Sequence, residues 1–273
     1  MIKLSNVNFS FGKFKMQNLT FSINKGDIVA ITGNNASGKT TLLEIIFGIL
    51  KASGEILIDG KPRKETTAKL GIVFQNPDNQ IIYNNVYDDI CFTLKNHKVP
   101  KVEWNERIDE ALSLVSMETH KKDEIFKMST GQKQRIVIAN MLALRPDIII
   151  FDESTSYLDS SAKQDFYDLL LRLKNRGITV IFTTNILDEI VYSDKVLLLS
   201  SGKIKAYDDT KIVLKNLDVF REEGMAIPLK LMLIEKFELS DFAKDKDLFE
   251  EISRRIKWFL QFYFSLPIPC LCF

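Results

Sequence analysis

The stretch GNNASGKTT, residues 33–41, directly follows the apolar run IVAIT and decides how the chain folds. Its fixed positions are Gly33, Gly38, Lys39 and Thr40, in the order glycine, four residues, glycine, lysine, threonine. Glycines let the backbone turn tightly enough for successive N–H groups to point at phosphate oxygens, and the following helix adds the positive end of its dipole. Strand, glycine-rich turn and helix in this order predict a P-loop rather than an ordinary Gly/Ser-rich turn.

The P-loop predicts a bound nucleoside triphosphate together with Mg²⁺. We expect Lys39 to reach the β- and γ-phosphates and the Thr40 hydroxyl to ligate the ion that bridges them. The backbone of the loop supplies the remaining contacts. The predicted nucleotide-binding residues of the loop are Gly33, Asn34, Asn35, Ala36, Ser37, Gly38, Lys39, Thr40 and Thr41.

Length, composition and charge limit the classes of protein that fit. The chain has 273 residues, of which 45% are hydrophobic, enough to bury a sizeable core. The formal net charge of +1 does not by itself imply a nucleic-acid partner or an acidic substrate. No run reaches 18 uninterrupted apolar residues, and the first residues lack the apolar core of a signal peptide, so we expect a cytoplasmic chain. Cys91, Cys270 and Cys272 are too few and too unevenly spaced for a disulfide framework or a zinc site.

Short apolar runs recur along the chain and predict an α/β fold. The runs at 28–32, 148–151 and 179–184 are apolar on both faces, as expected for parallel strands buried between helices. Helical patterns lie between the strands, at 40–50, 131–144 and 162–174. This alternation predicts a P-loop α/β core.

Three segments lie outside that alternation. The first 30 residues and residues 54–59 alternate apolar and polar, which predicts an antiparallel layer beside the core. Residues 87–127 turn polar and helical, and we expect an inserted helical subdomain over about 87–145. Beyond residue 215, short amphipathic helical patterns predict a C-terminal extension, 216–273, appended to a domain over 1–215.

A pair of carboxylates ends one of the buried runs. In IIIFDE, residues 148–153, Asp152 and Glu153 follow four apolar residues, which disfavours an exposed acidic turn. Ligands of open α/β sheets collect at the carboxyl ends of the strands. We expect Asp152 to hold Mg²⁺ and Glu153 to polarise the attacking water.

A second anion-binding pattern stands in MSTGQKQR, residues 128–135. A Ser-x-Gly-Gln turn that opens a helix directs backbone N–H groups toward an anion. One nucleotide needs only one phosphate cradle. The second cradle therefore predicts contact with a nucleotide held by another subunit.

These motifs resemble those of the ATP-binding cassette (ABC) family over roughly residues 1–215. GNNASGKTT resembles its Walker A motif, MSTGQ its signature and IIIFDE its Walker B motif, while Gln75 in GIVFQNP and Asp159 in SYLD match the Q-loop and D-loop positions. The resemblance implies ATP as the nucleotide, Gln75 and Glu153 as catalytic residues, and Thr40, Gln75 and Asp152 around Mg²⁺. It implies that two cassettes close head to tail around two ATP molecules. The partner's nucleotide would then meet Ser129, Thr130, Gly131 and Gln132.

An aromatic residue near the start of the chain extends the resemblance. Phe11, in NFSFG, matches the position that stacks on adenine in this family. The alternative is a core phenylalanine, because the chain has 19 of them and Phe9 is close by.

The segment after Gln75 is most similar to the ATP-binding subunits of energy-coupling factor and cobalt-type importers. VFQNPDNQIIYNNVYDDICF carries their NPD-x-Q pattern followed by an acidic pair, which makes Gln80, Asp88 and Asp89 a predicted coupling surface for basic helices of a membrane subunit. The alternative is a solvated loop with carboxylates at a helix N-terminus. The resemblance implies a transmembrane coupling subunit, a substrate-binding membrane protein and a location at the cytoplasmic face of the membrane.

Three other classes are alternatives. A conventional ABC transporter subunit is the first, because only the segment after Gln75 and the C-terminal tail favour the energy-coupling factor type. A soluble ABC ATPase acting on ribosomes or DNA typically has two fused cassettes or long coiled-coil inserts, which 273 residues do not accommodate. A nearly inert regulatory subunit is disfavoured by the intact Glu153.

The chain departs from the family pattern at Asn185, in TTNILDE, where the family has a histidine. Asparagine donates a hydrogen bond but does not titrate and reaches less far. We therefore include Asn185 among the catalytic positions and expect slow turnover at this chain's own ATP site. A heterodimer with a second, non-identical ABC ATPase is favoured over a homodimer, since the partner can carry a complete site.

The tail RRIKWFLQFYFSLPIPCLCF, residues 254–273, is the most hydrophobic stretch of the C-terminal extension. We expect it to pack on the cassette or on a partner's tail, which makes dimerisation a candidate role. An interfacial membrane helix is the alternative, disfavoured because Pro267 and Pro269 cut the helix short.

Overall fold

A computed structural model describes residues 1–156 and 158–237. Within these ranges the chain forms ten strands in two sheets and eight α-helices, joined by loops and short 3-10 turns. The strands are β1 Ile2–Phe11, β2 Phe14–Ile23, β3 Ile28–Thr32, β4 Ser53–Ile58, β5 Lys61–Pro62, β6 Leu70–Val73, β7 Ile148–Phe151, β8 Thr179–Thr184, β9 Lys195–Ser200 and β10 Lys203–Asp209. The helices are α1 Lys39–Phe47, α2 Val86–Asn96, α3 Trp104–Leu114, α4 Thr130–Leu142, α5 Ser160–Asn175, α6 Thr210–Val213, α7 Asp218–Glu222 and α8 Leu229–Phe237.

The larger sheet is the predicted parallel core. Its order is β10-β9-β3-β8-β7-β6, and all neighbours are parallel except the antiparallel pair β9–β10. Every residue of β3, β7 and β8 is buried. Other elements therefore cover both faces of these strands, as their unbroken apolar runs predict.

The smaller sheet is the predicted antiparallel layer, in the order β2-β1-β4-β5. The antiparallel layer was predicted to include all of the first 30 residues, which is three residues too many. Residues 28–30 fall within the first 30 residues of the chain but belong to β3 and hence to the parallel sheet. The reason lies in their pattern, since IVAIT is apolar without interruption whereas β1 and β2 alternate.

Helix ends follow local capping. α1 ends at Phe47, three residues earlier than predicted, because Gly48 adopts a left-handed conformation and closes the helix. α4 and α5 begin after Ser129 and Asp159, whose side chains accept hydrogen bonds from the backbone N–H groups of the first turn. Both capping residues are predicted site residues, so capping fixes the backbone on which the site is built.

The two faces of the parallel sheet bury separate cores. Val29 and Ile31 face the antiparallel sheet and α1, whereas Ile28 and Ala30 face the helices of the opposite side. That second core also takes in the helices predicted as an inserted subdomain, through Ile90, Leu112 and other apolar side chains of α2, α3 and α4. The parallel sheet thus lies between two cores, one shared with the antiparallel sheet and one shared with the helical region.

Residues 216–237 contribute to the core on the helical side of the parallel sheet. Leu217, Phe220, Leu231 and Ile234 are buried in it. Residues 238–273, including the hydrophobic tail at 254–273, lie outside the described residues. None of the helices in the described ranges combines the length and apolar character needed to cross a bilayer.

Candidate active site

The P-loop connects β3 to α1 and brings backbone amides into a tight turn. Gly33 has φ 149°, and a Cβ atom there would lie 2.1 Å from the carbonyl oxygen of Leu199. Gly38 has φ 108°, and a Cβ atom there would lie 2.7 Å from the ring of Phe14. Both positions require glycine, for conformation and for space. The loop is therefore packed against Leu199 of β9 at Gly33 and against Phe14 of β2 at Gly38.

Lys39 is buried at the centre of the loop, with 4% of its side chain exposed. Its ammonium donates to the carbonyl oxygens of Gly33 at 3.0 Å and Asn34 at 3.3 Å, and lies 3.4 Å from Glu153 Oε1. The neighbouring Ser37 hydroxyl is buried and has no hydrogen-bond partner among the described residues. A cation and an unpaired hydroxyl inside a ring of amides fit a phosphate group.

Asp152 and Thr40 form the predicted metal-binding pair. The Thr40 hydroxyl donates to Asp152 Oδ2 at 2.8 Å, and Thr183 donates to Asp152 Oδ1 at 2.7 Å. Mg²⁺ is typically held by one or two carboxylates together with substrate phosphates and waters. The adjoining carboxylate and hydroxyl oxygens fit such an ion.

Glu153 lies where the other polar groups meet. Its Oε1 contacts the Lys39 ammonium, and its Oε2 accepts a hydrogen bond from Gln75 Nε2 at 3.2 Å. Its backbone has φ 44°, in the left-handed region, and its N–H donates to Thr183 Oγ1 at 2.8 Å. Such a conformation at a non-glycine residue persists only where the surroundings fix it. Gln75 contacts Glu153 here rather than the predicted metal-binding pair.

A cavity of about 580 Å³ opens beside the P-loop. Lys39, Thr40 and Glu153 line it, together with the apolar side chains of Phe9, Phe11, Phe14 and Leu50. Phe11 is 79% exposed, so it does not occupy a core position. A cavity of this size, with charged groups and an aromatic wall, accommodates a nucleotide.

Sequence reasoning missed several lining residues. Phe14 pairs with Phe11 across the β1–β2 turn. The pattern of two phenylalanines flanking a turn at Gly12 could have predicted that Phe14 lines the cavity beside Phe11. Glu44 lies one helical turn after Thr40, and the i, i+4 spacing places both on one face of α1. Burial, reinforced by the nearby charge of Asp152, raises the pKa of Glu44.

The signature residues are arranged as a helix cap. Ser129 Oγ accepts the N–H of Gln132 at 3.3 Å, and Gln132 Oε1 accepts the N–H of Ser129 at 3.0 Å. Ser129 and Thr130 are exposed, and Gly131 and Gln132 are half-buried. None of the four lines the cavity beside the P-loop in the described part of the chain. That separation agrees with a role toward a nucleotide on another subunit.

Asp159 and Asn185 are exposed at the edges of the site. Asp159 Oδ1 accepts the N–H of Ala162 at 2.8 Å and so caps α5. Asn185 follows β8 directly, and its Nδ2 donates to Asn35 Oδ1 of the P-loop at 3.4 Å. Asn185 therefore lies next to the P-loop, and Asn35 of that loop lines the nucleotide cavity.

Of the three residues predicted for the coupling surface, Asp89 is buried, Gln80 is half-buried and Asp88 is exposed. Asp89 is 1% exposed, and its carboxylate accepts from the N–H groups of Ile82 and Tyr83 and from Asn140 Nδ2. Burial raises its pKa, although these hydrogen bonds act in the opposite direction. The prediction of Asp89 as a surface residue is wrong, because a step of one residue along α2 turns the side chain by about 100° into the helical core.

Gln80 is half-buried. Its amide accepts from the N–H of Phe74 and donates to the carbonyl of Ile72, so it braces the turn after β6, and its part in the coupling surface stays a prediction. Asp88 is exposed, and Ile82 and Tyr83 beside it are 61% and 47% exposed. An acidic and partly apolar patch therefore remains, with Asp88 as its carboxylate.

The P-loop also touches the chain beyond the parallel sheet. Asn34 Nδ2 donates to the backbone carbonyl of Glu223 at 2.7 Å, just after α7. The N–H of Gly202, in the β9–β10 turn, donates to the carbonyl of Ser37 at 3.0 Å. The loop is held at both ends by residues far away in sequence.

Fold and site together define a P-loop ATPase cassette. The ABC transporter family matches residues 16–156, and this chain belongs to that family. It is 34% identical over 269 residues to the energy-coupling factor transporter ATP-binding protein EcfA1 of Streptococcus thermophilus, covering 92% of this chain and 98% of the relative. It is 38% identical over 256 residues to EcfA1 of Streptococcus mutans, covering 90% and 91%.

Solved structures show the same likeness. CbiO1 of Clostridium perfringens, part of the ABC transporter complex cbiONQ, superposes with a TM-score of 0.74 at 33% identity, over 86% of this chain and 98% of that one. The ATP-binding cassette MJ0796, in a dimeric post-hydrolysis state bound to ADP and Pi, superposes with a TM-score of 0.67 at 27% identity, over 77% and 98%. These likenesses confirm the predicted family, fold class and ATPase activity.

Proposed function

We propose that this chain is the ATP-binding and ATP-hydrolysing subunit of an energy-coupling factor importer for vitamins or metal ions, working at the cytoplasmic face of the membrane. The observation that carries the proposal is the meeting of Lys39, Gln75 and the Thr40–Asp152 pair around Glu153. Its likeness to EcfA1 over nearly the whole chain supports the importer type. The proposed assembly contains a second ABC ATPase subunit, a transmembrane coupling subunit and a substrate-binding membrane protein, and no nucleic acid.

The residues of the chain account for the hydrolytic step. Thr40 and Asp152 would hold Mg²⁺, which would neutralise charge on the β- and γ-phosphate oxygens. Lys39 exchanges its contacts with the loop carbonyls for phosphate oxygens and stabilises negative charge there. Glu153, held between Lys39 and Gln75, orients the attacking water and accepts its proton. Phe11 offers the flat apolar face for adenine.

The test of this function is Glu153→Gln, with Glu55→Gln on the exposed face of β4 as the matched control. We expect hydrolysis to fall by roughly 10²-fold or more, because the general base is lost, while ATP binding persists. Light scattering should then detect an ATP-stabilised dimer of cassettes. Full hydrolysis by Glu153→Gln, or a mutant that binds ATP without any dimer, would contradict the proposal.

We further propose that Asn185 makes this chain's own ATP site the slower one and that a non-identical partner carries most of the turnover. Its contact with Asn35 places the side chain next to the P-loop, but a neutral amide supplies no charge there. Asn185→His, measured in the assembled complex, should raise hydrolysis by up to about 10²-fold at this site. An unchanged rate argues against the asymmetry.

A further inference from the structure

Glu189 is a buried carboxylate that takes no part in the proposed hydrolytic step. It lies in the 3-10 turn Leu187–Tyr192 that follows β8, and only 3% of its side chain is exposed. An ionised group at that depth is retained only where it is paired and hydrogen-bonded. Its partners therefore indicate what it does.

Thr155, Thr184 and Lys163 are among the side chains that donate to this carboxylate. Thr155 Oγ1 lies 3.0 Å from both Oε1 and Oε2, and Thr184 Oγ1 lies 2.7 Å from Oε2. Lys163 Nζ donates to Oε1 at 3.1 Å and supplies the opposite charge. We call these four residues the Glu189 cluster.

Each of these three donors belongs to a segment that carries a candidate site residue. Thr155 stands two residues after Glu153, and Thr184 stands directly before Asn185. Lys163 stands one helical turn after Asp159, the residue that caps α5. One carboxylate thus joins the loop of the general base, the loop that contacts the P-loop and the start of α5.

The loop of Glu153 needs such an anchor. Its backbone at Glu153 is in the left-handed region, which must be held by surrounding contacts. On the N-terminal side of the loop, the Thr183 hydroxyl accepts from the Glu153 N–H and donates to the Asp152 carboxylate. Thr155 holds the downstream side, and its hydroxyl is committed to Glu189.

Most of the cluster is shielded from water, since Thr155, Thr184 and Glu189 are buried while Lys163 is partly exposed. Tyr167 is buried beside Glu189, and burial together with that carboxylate raises the pKa of its hydroxyl. The Tyr167 ring stacks on Tyr192 at a centroid distance of 3.9 Å. In a dry surrounding the hydrogen bonds of the cluster are strong, and their loss is costly.

We propose that Glu189 is a positioning residue for ATP hydrolysis, which fixes the loops of Glu153 and Asn185 to each other and to the helix that Asp159 caps. This inference rests on the proposed roles of those three residues. Glu189 itself contacts neither phosphate nor water in the reaction. Its effect is on the placement of the general base, so it acts on the rate of turnover and leaves ATP affinity intact.

The experiment compares Thr155→Val with Thr155→Ser and with Glu189→Gln in the full chain, purified with its co-purifying partners. Valine keeps the shape of threonine without the hydroxyl, whereas serine keeps the hydroxyl. We expect Thr155→Val and Glu189→Gln to lower kcat roughly tenfold or more, because small displacements of a reacting group are costly. ATP Kd and KM should stay within about twofold, and Thr155→Ser should restore most of the rate.

Thr179→Val is the matched control for a merely structural effect. Thr179 is equally buried, at the far end of β8, and its hydroxyl accepts the N–H of Gly26 at 2.9 Å. The control should lower Tm and leave kcat unchanged. Two results would overturn the positioning role while leaving the proposed function in place. One is a kcat in Thr155→Val and Glu189→Gln equal to that of the wild type, and the other is a loss of kcat no larger than in Thr179→Val. A wild-type chain that binds ATP but never hydrolyses it would overturn the proposed function as well.

Discussion

Phe11 shows what exposure implies for a single residue. A phenylalanine that is 79% exposed removes little apolar area from water on folding, so it adds little to the free energy of unfolding. It stands at the end of β1, opposite Phe14, on the apolar wall of the nucleotide cavity. Its apolar face is therefore available to a ligand rather than to the core.

Phe11→Ala should weaken ATP binding without destabilising the fold. Stacking of a base on an aromatic ring is worth about 1–3 kcal/mol, which predicts an ATP Kd roughly tenfold or more above wild type. Tm should change little, as for other exposed positions. Phe126→Ala, at a 64% exposed phenylalanine outside the cavity lining, is the control for fluorescent-nucleotide titrations. Equal affinities in both variants would remove Phe11 from the site.

Among the elements, α8 is fixed to its neighbours by one carboxylate. Glu235 accepts from the N–H of Leu217 at 2.7 Å and from the guanidinium of Arg221 in α7. Arg221, followed by the Leu217 N–H, holds the pKa of Glu235 below its ordinary value of 4.5. A carboxyl whose pKa is lower in the folded state stabilises that state above its unfolded pKa, and the contribution is lost as the pH falls through the folded pKa.

Acidification below pH 4.5, the ordinary pKa of this glutamate, should therefore loosen α8, while no change is expected between about pH 5 and 8. Glu235→Gln should reproduce the loosening at pH 7. Hydrogen exchange of residues 229–237, corrected for the intrinsic pH dependence of exchange, measures both effects. Glu222→Gln, at an exposed position of α7, is the control. Exchange in Glu235→Gln as slow as in the control would show that the carboxylate does not hold the helix.

For the molecule as a whole, the sequence predicted what periodicity and local motifs encode. The buried strands, the P-loop and the caps at Ser129 and Asp159 are patterns of neighbouring residues, and the structure has all of them. The orientation of single residues is not encoded in this way, since Asp88 and Asp89 have the same chemistry but one is exposed and the other is buried on α2. The Glu189 cluster could not be predicted, because Thr155 and Glu189 are 34 residues apart and no spacing rule joins them.

The outward face of α2 leads to a prediction about assembly. Asp88 is the exposed carboxylate of the corrected patch, beside Ile82 and Tyr83. Asp88→Lys should reduce recovery of a multi-span membrane protein in a tagged pull-down from solubilised membranes, most clearly at low salt, because reversed charge slows encounter with basic helices. Glu55→Lys carries the same charge change on the antiparallel sheet. Equal recovery from both variants would place the membrane partner elsewhere.

The contact between Asn34 and residue 223 limits where the cassette can be cut. The acceptor is a backbone carbonyl, which every residue type supplies, so the requirement concerns the path of the chain and not the side chain at 223. A fragment ending at residue 215 keeps every motif yet leaves the Asn34 amide without this acceptor. Chimeras that exchange C-terminal extensions between relatives should consequently keep this contact even where the side chain at 223 differs, provided that the buried apolar positions and the number of residues between β10 and position 223 are preserved.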